Sequence, residues 1–319
     1  MLIQLHYSVV RFQRSKNLLI KKNIFAEYFF NICFQYIWCF NKVFTFKISS
    51  ARRKIPWAVF FYLIPIRKQT AVNNLKLCFP SENERSVRKI IKECYINLGI
   101  DLLEFFYFPY LNSEKISRFV FFHNYETVDE ALKINRGVLF LSGHYSNWEL
   151  TAFSYSRIYN RSLKIIAKPQ GGGALNEKIN SYRTAAGNEI IQTGYSLRTV
   201  FEKLSNNDIL CFLIDQSANP DYSVYIDFLG QHTSAFSGPA KIALKKRPEL
   251  ILAYGRRNKN YSYDIHFEKI NYEDITDNNN ESIKILTQRI QTAFEKIILE
   301  DPGQWLWLHK RFKHVRKEN

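Results

Sequence analysis

Gly137–Leu150 reads GVLFLSGHYSNWEL, and the fold is read outward from it. Val138–Ser142 is an apolar run too short for a helix and closed by a glycine on either side. That is the pattern of a strand buried on both faces. The run stops at Gly143-His144, and Trp148–Tyr159 then carries helical spacing. A buried strand passing at once into a helix is the opening of a βαβ unit.

The alternation continues down the chain. Strands are expected at Leu163–Ala167, Glu189–Gln192, Ile209–Ile214, Leu250–Arg256 and Tyr263–Lys269. Helices are expected at Leu175–Ala186, Leu197–Leu204, around Pro239–Lys245 and at Glu281–Leu299. Upstream, Ser81 followed by Glu84 has the form of a capping box, opening a helix that runs to about Phe108. The fold class is therefore α/β, a largely parallel mixed sheet covered by helices, filling a catalytic domain at 70–319. Residues 1–69 read as a separate N-terminal region, apolar and helical, that attaches the chain to a membrane.

Charge supports that division. The 319 residues carry a net +16, and its placement is uneven. Residues 1–56 hold ten Lys/Arg against Glu27, and residues 304–319 hold five against Glu318, so 13 of the 16 charges sit at the two ends. A nucleic-acid enzyme more often lays a basic stripe across its core, so no nucleic-acid partner is expected. Basic ends beside apolar segments fit an anionic membrane surface, with a merely solubilising fringe as the alternative. Residues 24–40, IFAEYFFNICFQYIWCF, form an apolar run whose Glu27, Asn31 and Gln35 recur every four positions as one polar stripe. A spanning helix needs about 20 apolar residues, so interfacial attachment and a single span both stay open, as does packing of the run in a soluble core. Ile55–Ile66 is shorter and holds Pro56 and Pro65. Five scattered cysteines, with no C-x-x-C pair, indicate neither a metal site nor a disulfide framework, and suit a reducing cytosolic face.

The candidate chemistry lies at the end of Val138–Ser142, because ligands and catalytic groups of such sheets gather beyond the carboxyl ends of the strands. Five positions at 100° each would put His144 and Glu149 on different faces of one continuous helix. They converge if the helix starts between them, with Ser146 as N-cap and Glu149 as the third helical residue. His144 would then stand outside the positive helix end as a neutral general base. The same residues also make a capping box, in which Glu149 only closes a helix.

Several stretches carry a resemblance to the bacterial lipid A biosynthesis (late) acyltransferases, within the lysophospholipid acyltransferase superfamily. GVLFLSGHYSNWEL is similar to their His-four-residues-Glu motif, with Ser146 where glycine is usual. AVNNLKLCFP (71–80), Lys168-Pro169 followed by Arg183, LIDQSANPDYSVYIDFLGQHTSAFSGPAKIA (213–243) and DPGQWLWLHKRFK (301–313) are similar to further segments, so that the resemblance covers roughly 57–315 in order. It implies a glycerolipid-acyltransferase-like fold at the bacterial inner membrane, with the site on the cytoplasmic side. It also implies transfer of an acyl chain from an acyl thioester, usually of acyl carrier protein and otherwise of coenzyme A, to a hydroxyl of a lipid A precursor or related glycolipid in the membrane. No further cofactor and no metal are implied.

On that reading His144 takes the hydroxyl proton and Glu149 orients the imidazole, as a triad carboxylate does. Arg183 serves the oxyanion or an acceptor phosphate, with an ordinary surface arginine as the alternative. Asp215 and Gln216 shape a substrate pocket, Asn147 and Trp148 bind substrate as well, and Gly238 opens a helix whose amides can face a ligand. Trp305, Trp307, His309 and Arg311 fit either a strand or a helix, contacting the membrane interface or packing the domain. Gly171-Gly172-Gly173 lacks the spacing of a nucleotide loop, and no Gly-x-Ser-x-Gly elbow of a hydrolase is present. A different membrane acceptor, or a membrane-binding module without catalysis, remains as an alternative function.

Overall fold

The computed structural model describes residues 67–169, 173–194 and 197–316. Residues 1–66 of the expected membrane-attachment region, with the runs 24–40 and 55–66, lie outside them. Among the described residues, 67–167 and 182–316 form one compact unit, while 168–181 belongs to a second.

The first unit is built on a seven-stranded sheet in the order β1-β9-β8-β2-β5-β3-β4. The strands are β1 (Val120–His123), β2 (Val138–Ser142), β3 (Leu163–Ala167), β4 (Glu189–Gln192), β5 (Ile209–Leu213), β8 (Glu249–Arg257) and β9 (Tyr263–Lys269). A separate antiparallel hairpin joins β6 (Val224–Phe228) to β7 (Gln231–Ala235). Strands β8, β2, β5, β3 and β4 run parallel, and β9 and β1 run against them. The α/β class and the mostly parallel mixed sheet follow the expectation.

The helices are α1 (Lys68–Cys78), α2 (Glu84–Phe105), α3 (Ser113–Ile116), α4 (Glu126–Lys133), α5 (Trp148–Tyr159), α6 (Gly173–Thr184), α7 (Leu197–Ser205), α8 (Gly238–Lys246) and α9 (Asn280–Glu300). Strand β2 is covered on both faces, which is why its sequence is apolar without alternation. Leu139 and Leu141 join a core with Leu210, Phe212, Leu250 and Leu252 and with α8 and α9 residues such as Ala243, Leu286 and Phe294. Phe140 points the other way, onto Tyr155 of α5 and Phe267 of β9. Among the described residues no helix is long and apolar enough to cross a membrane.

Two caps differ from the sequence reading. Helix α2 is capped by Asn83, whose side chain accepts from the Ser86 amide, and not by Ser81. Helix α5 is capped by Asn147, whose side chain accepts from the Leu150 amide at 2.9 Å. Ser146 instead takes a left-handed backbone, φ 50°, which carries the chain sharply off the strand, and Glu149 becomes the second helical residue. Asn is as good a cap as Ser, so spacing could not choose between neighbours. Strands β1, β6 and β7 and helices α1, α3 and α4 were not expected. They are short, or, like α1, mix polar residues into the apolar spacing.

Candidate active site

Residue His144 reaches its place through a parallel register. Ser142 of β2 pairs with Leu213 of β5, and the Ile214 amide donates to the Ser142 carbonyl at 2.8 Å. Two residues past each strand end, His144 meets Asp215. Gly143 makes the approach possible, because the Phe294 ring of α9 lies 2.0 Å from where a Cβ would stand. On the opposite side, the Leu306 amide donates to the His144 carbonyl at 2.9 Å and the Ser146 amide to the Gln304 carbonyl at 2.7 Å. The strand tip is thereby clamped by the segment after α9.

Asp215 holds this arrangement. It is fully buried and accepts three hydrogen bonds, each 2.8 Å long. Nδ1 of His144 reaches Oδ1, while the His144 amide and the Trp305 indole reach Oδ2. Burial alone would raise its pKa, but His144, then His309 and the Trp305 indole, hold it below the usual carboxylate range. An ionised carboxylate only accepts, so Nδ1 of His144 carries a proton, and in the neutral ring the lone pair is then on Nε2. Nε2 lies 3.4 Å from the amide nitrogen of Gln216. The Trp148 and His309 rings stand edge-on to the imidazole, with centroids at 4.8 and 4.4 Å.

Glu149 does not occupy the place expected for it. The position on Nδ1 belongs to Asp215, and Glu149 is paired with Arg183 of α6. Arg183 Nε lies 3.0 Å from both carboxylate oxygens, and Nη2 bonds Oε1 closely. Both side chains are largely buried, and Nη1 of Arg183 is buried with no hydrogen-bond partner among the described residues. Arg183 is therefore not a surface arginine.

The remaining expected residues divide. Gln216 and Trp148 lie beside the base. Asn147 is 1% exposed, caps α5 and donates to Glu104 of α2 at 2.9 Å, so it positions the helix and is closed to substrate. Gly238 opens α8, and its need for no Cβ comes from the Phe236 ring, 2.2 Å from that point. After a short 3-10 turn at Pro302–Gln304, residues 305–311 are neither strand nor helix. Trp305 forms an isolated bridge with Tyr145, and Trp305, Trp307 and Arg311 are buried, so these three pack the domain and do not reach a membrane interface. Sequence reasoning missed Asp215 as the orienting group and Trp305 as its donor. The available signal was that Asp215, like His144, directly follows a buried apolar run.

Residues 13–314 match the family described as bacterial lipid A biosynthesis acyltransferase. The chain belongs to that family. It is an acyltransferase, and its family is that of lipid A biosynthesis in bacteria. Among curated proteins it is similar to the lipid A biosynthesis palmitoleoyltransferase of Escherichia coli, 22% identical over 77% of this chain and 79% of that one. It is also similar to the lipid A biosynthesis lauroyltransferase of the same organism, 20% identical over the same shares. A phosphatidylinositol mannoside acyltransferase of Mycobacterium tuberculosis is 21% identical over 66% of each chain.

Proposed function

We propose that the enzyme moves a fatty acyl chain from an acyl thioester, acyl carrier protein being the donor, to a hydroxyl of a lipid A precursor. The reaction takes place at the cytoplasmic face of the bacterial inner membrane. The observation that carries this reading is the buried Asp215–His144 pair, which leaves Nε2 as a lone-pair base beside an open cleft. Nε2 accepts the proton of the acceptor hydroxyl as its oxygen attacks the thioester carbonyl. Asp215 compensates the imidazolium, much as a triad aspartate does. The tetrahedral centre then expels the thiolate, which takes the proton back from Nε2. No acyl-enzyme is required, because the thioester is already activated, and no further cofactor is called for.

Glu149 serves this scheme through Arg183. It fixes the guanidinium and leaves Nη1 without a partner among the described residues, a donor suited to the oxyanion or to a substrate phosphate. Membrane attachment rests on the basic, apolar N-terminal sequence. The mannoside acyltransferase among the relatives favours a second reading, a different membrane glycolipid as acceptor.

The test is transfer by the full chain in mixed micelles, from acyl carrier protein thioester to a lipid A precursor, with the product read by mass spectrometry. The parent should acylate the precursor, and His144→Ala should lose activity by about 10³-fold or more. Undiminished transfer by His144→Ala would refute the mechanism. Transfer only to another glycolipid would move the conclusion to the second reading.

A further inference from the structure

A cleft of about 490 Å³ opens beside the base. One wall is the loop after β5, with Gln216, Ser217 and Asn219, and the other is the C-terminal segment, with His309, Lys310, Lys313 and His314. No carboxylate lines it. Both walls lead to His144, Gln216 through its amide at 3.4 Å from Nε2 and His309 through its ring. A substrate group held in this cleft stands within a few bonds of the reacting proton.

The lining asks for an anion. Lys310 and Lys313 belong to one turn, closed by the Lys313 amide on the Lys310 carbonyl at 3.3 Å. Both side chains are exposed and neither is in an ion pair among the described residues. Deeper in, Nε2 of His309 is buried without a hydrogen-bond partner among the described residues, an arrangement that costs stability unless a ligand completes it. Burial, and then the neighbouring His144, push the His309 pKa down to about 4. At neutral pH His309 is thus an uncharged donor or acceptor, and the two exposed lysines bring positive charge to the cleft. Ammonium groups at the rim, with a hydroxyl and an amide along the opposite wall, match the charge and the many acceptor oxygens of a phosphate.

We propose that this cleft binds a phosphate group of a substrate and so delivers the reacting atoms to Nε2 of His144. The proposal rests on the acyl-transfer reading above and adds the anchoring group. Two substrates could carry that phosphate, a phosphorylated glycolipid acceptor or the pantetheine arm of the donor.

The decisive variant is Lys310→Ala/Lys313→Ala in the full chain, since both side chains are exposed. Its kinetics are compared with the parent's for four probes: a phosphorylated glycolipid acceptor, its dephosphorylated form, acyl-phosphopantetheine and acyl-pantetheine. The expected result is a KM raised about ten-fold for one phosphorylated probe, kcat within about two-fold, and no effect on the matching probe without phosphate. Lys310→Arg/Lys313→Arg should retain the parent's KM. A shift confined to the acceptor names the glycolipid as the source, and one confined to the donor names the pantetheine arm. Equal KM values for parent and variant on all four probes would overturn the proposal. Binding of the two phosphorylated probes to His144→Ala, with and without the lysine changes, separates the two claims. If the parent transfers no acyl group while the lysines still govern binding, the reaction reading falls and the cleft stands. If transfer proceeds and the lysines change neither KM nor binding, the cleft alone falls.

Discussion

The imidazole of His144 and the carboxylate of Asp215 meet because each residue is the second past the end of its strand in one parallel register. Ser142 and Leu213 pair, and the offset of 71 residues carries on to His144 and Asp215. Asp215→Asn should therefore be severe. An amide turned with its NH2 toward Nδ1 drives the proton to Nε2 and removes the base. We expect kcat to fall by about 10³–10⁴-fold, as for a triad aspartate changed to asparagine, with the circular dichroism spectrum retained. Activity close to the parent's would mean that another group orients the imidazole.

Glu149→Gln leaves the Arg183 guanidinium without its counter-charge in a largely enclosed place. Breaking a sealed ion pair costs about 3–5 kcal/mol, and the 18% exposure of the Glu149 side chain puts the expected loss lower, at about 2–3 kcal/mol. A role limited to helix capping would leave stability untouched, since Gln also serves a capping box. Denaturant unfolding of Glu149→Gln beside Glu149→Gln/Arg183→Met separates the two. The double variant should regain stability and remain inactive.

Gly143→Ala tests the close approach of α9. The added methyl would enter the Phe294 ring, and overpacking of this kind costs about 1–3 kcal/mol. Phe294→Leu in the same chain should recover part of the loss. A thermal midpoint for Gly143→Ala equal to the parent's would show that the ring moves freely aside.

His309 gives stability a pH dependence of known sign. Its folded pKa of about 4 lies below the ordinary histidine value of 6.5, so between those values the unfolded chain binds more protons than the folded one. Stability from this group is complete above about pH 6.5 and is lost as the pH falls toward 4. His309→Gln should narrow the difference between the thermal midpoints at pH 7 and pH 5. An unchanged difference would place the titration elsewhere.

What could be read without coordinates was the set of long elements and the chemical types at the strand tips. Runs such as Val138–Ser142 and Ile209–Leu213 are apolar throughout because both faces of the sheet are covered, and that pattern is local. The proposal of His144 as base came from the same kind of reading, and that of Arg183 as a functional cation from family resemblance. Short pieces such as β1 and α4 escaped because four to eight residues carry too little periodicity.

Pairing between side chains was a different matter. Glu149, five residues away in sequence, looked like the natural partner of His144, yet α5 starts at Trp148 and carries Glu149 toward Arg183. Asp215, 71 residues away, took the position through strand register, and Trp305, 90 residues beyond that, completed it. Local sequence determines which backbone forms and which reactive groups it presents. Which of those groups touch depends on hydrogen-bonded register and packing between distant segments, and only the folded chain contains those distances.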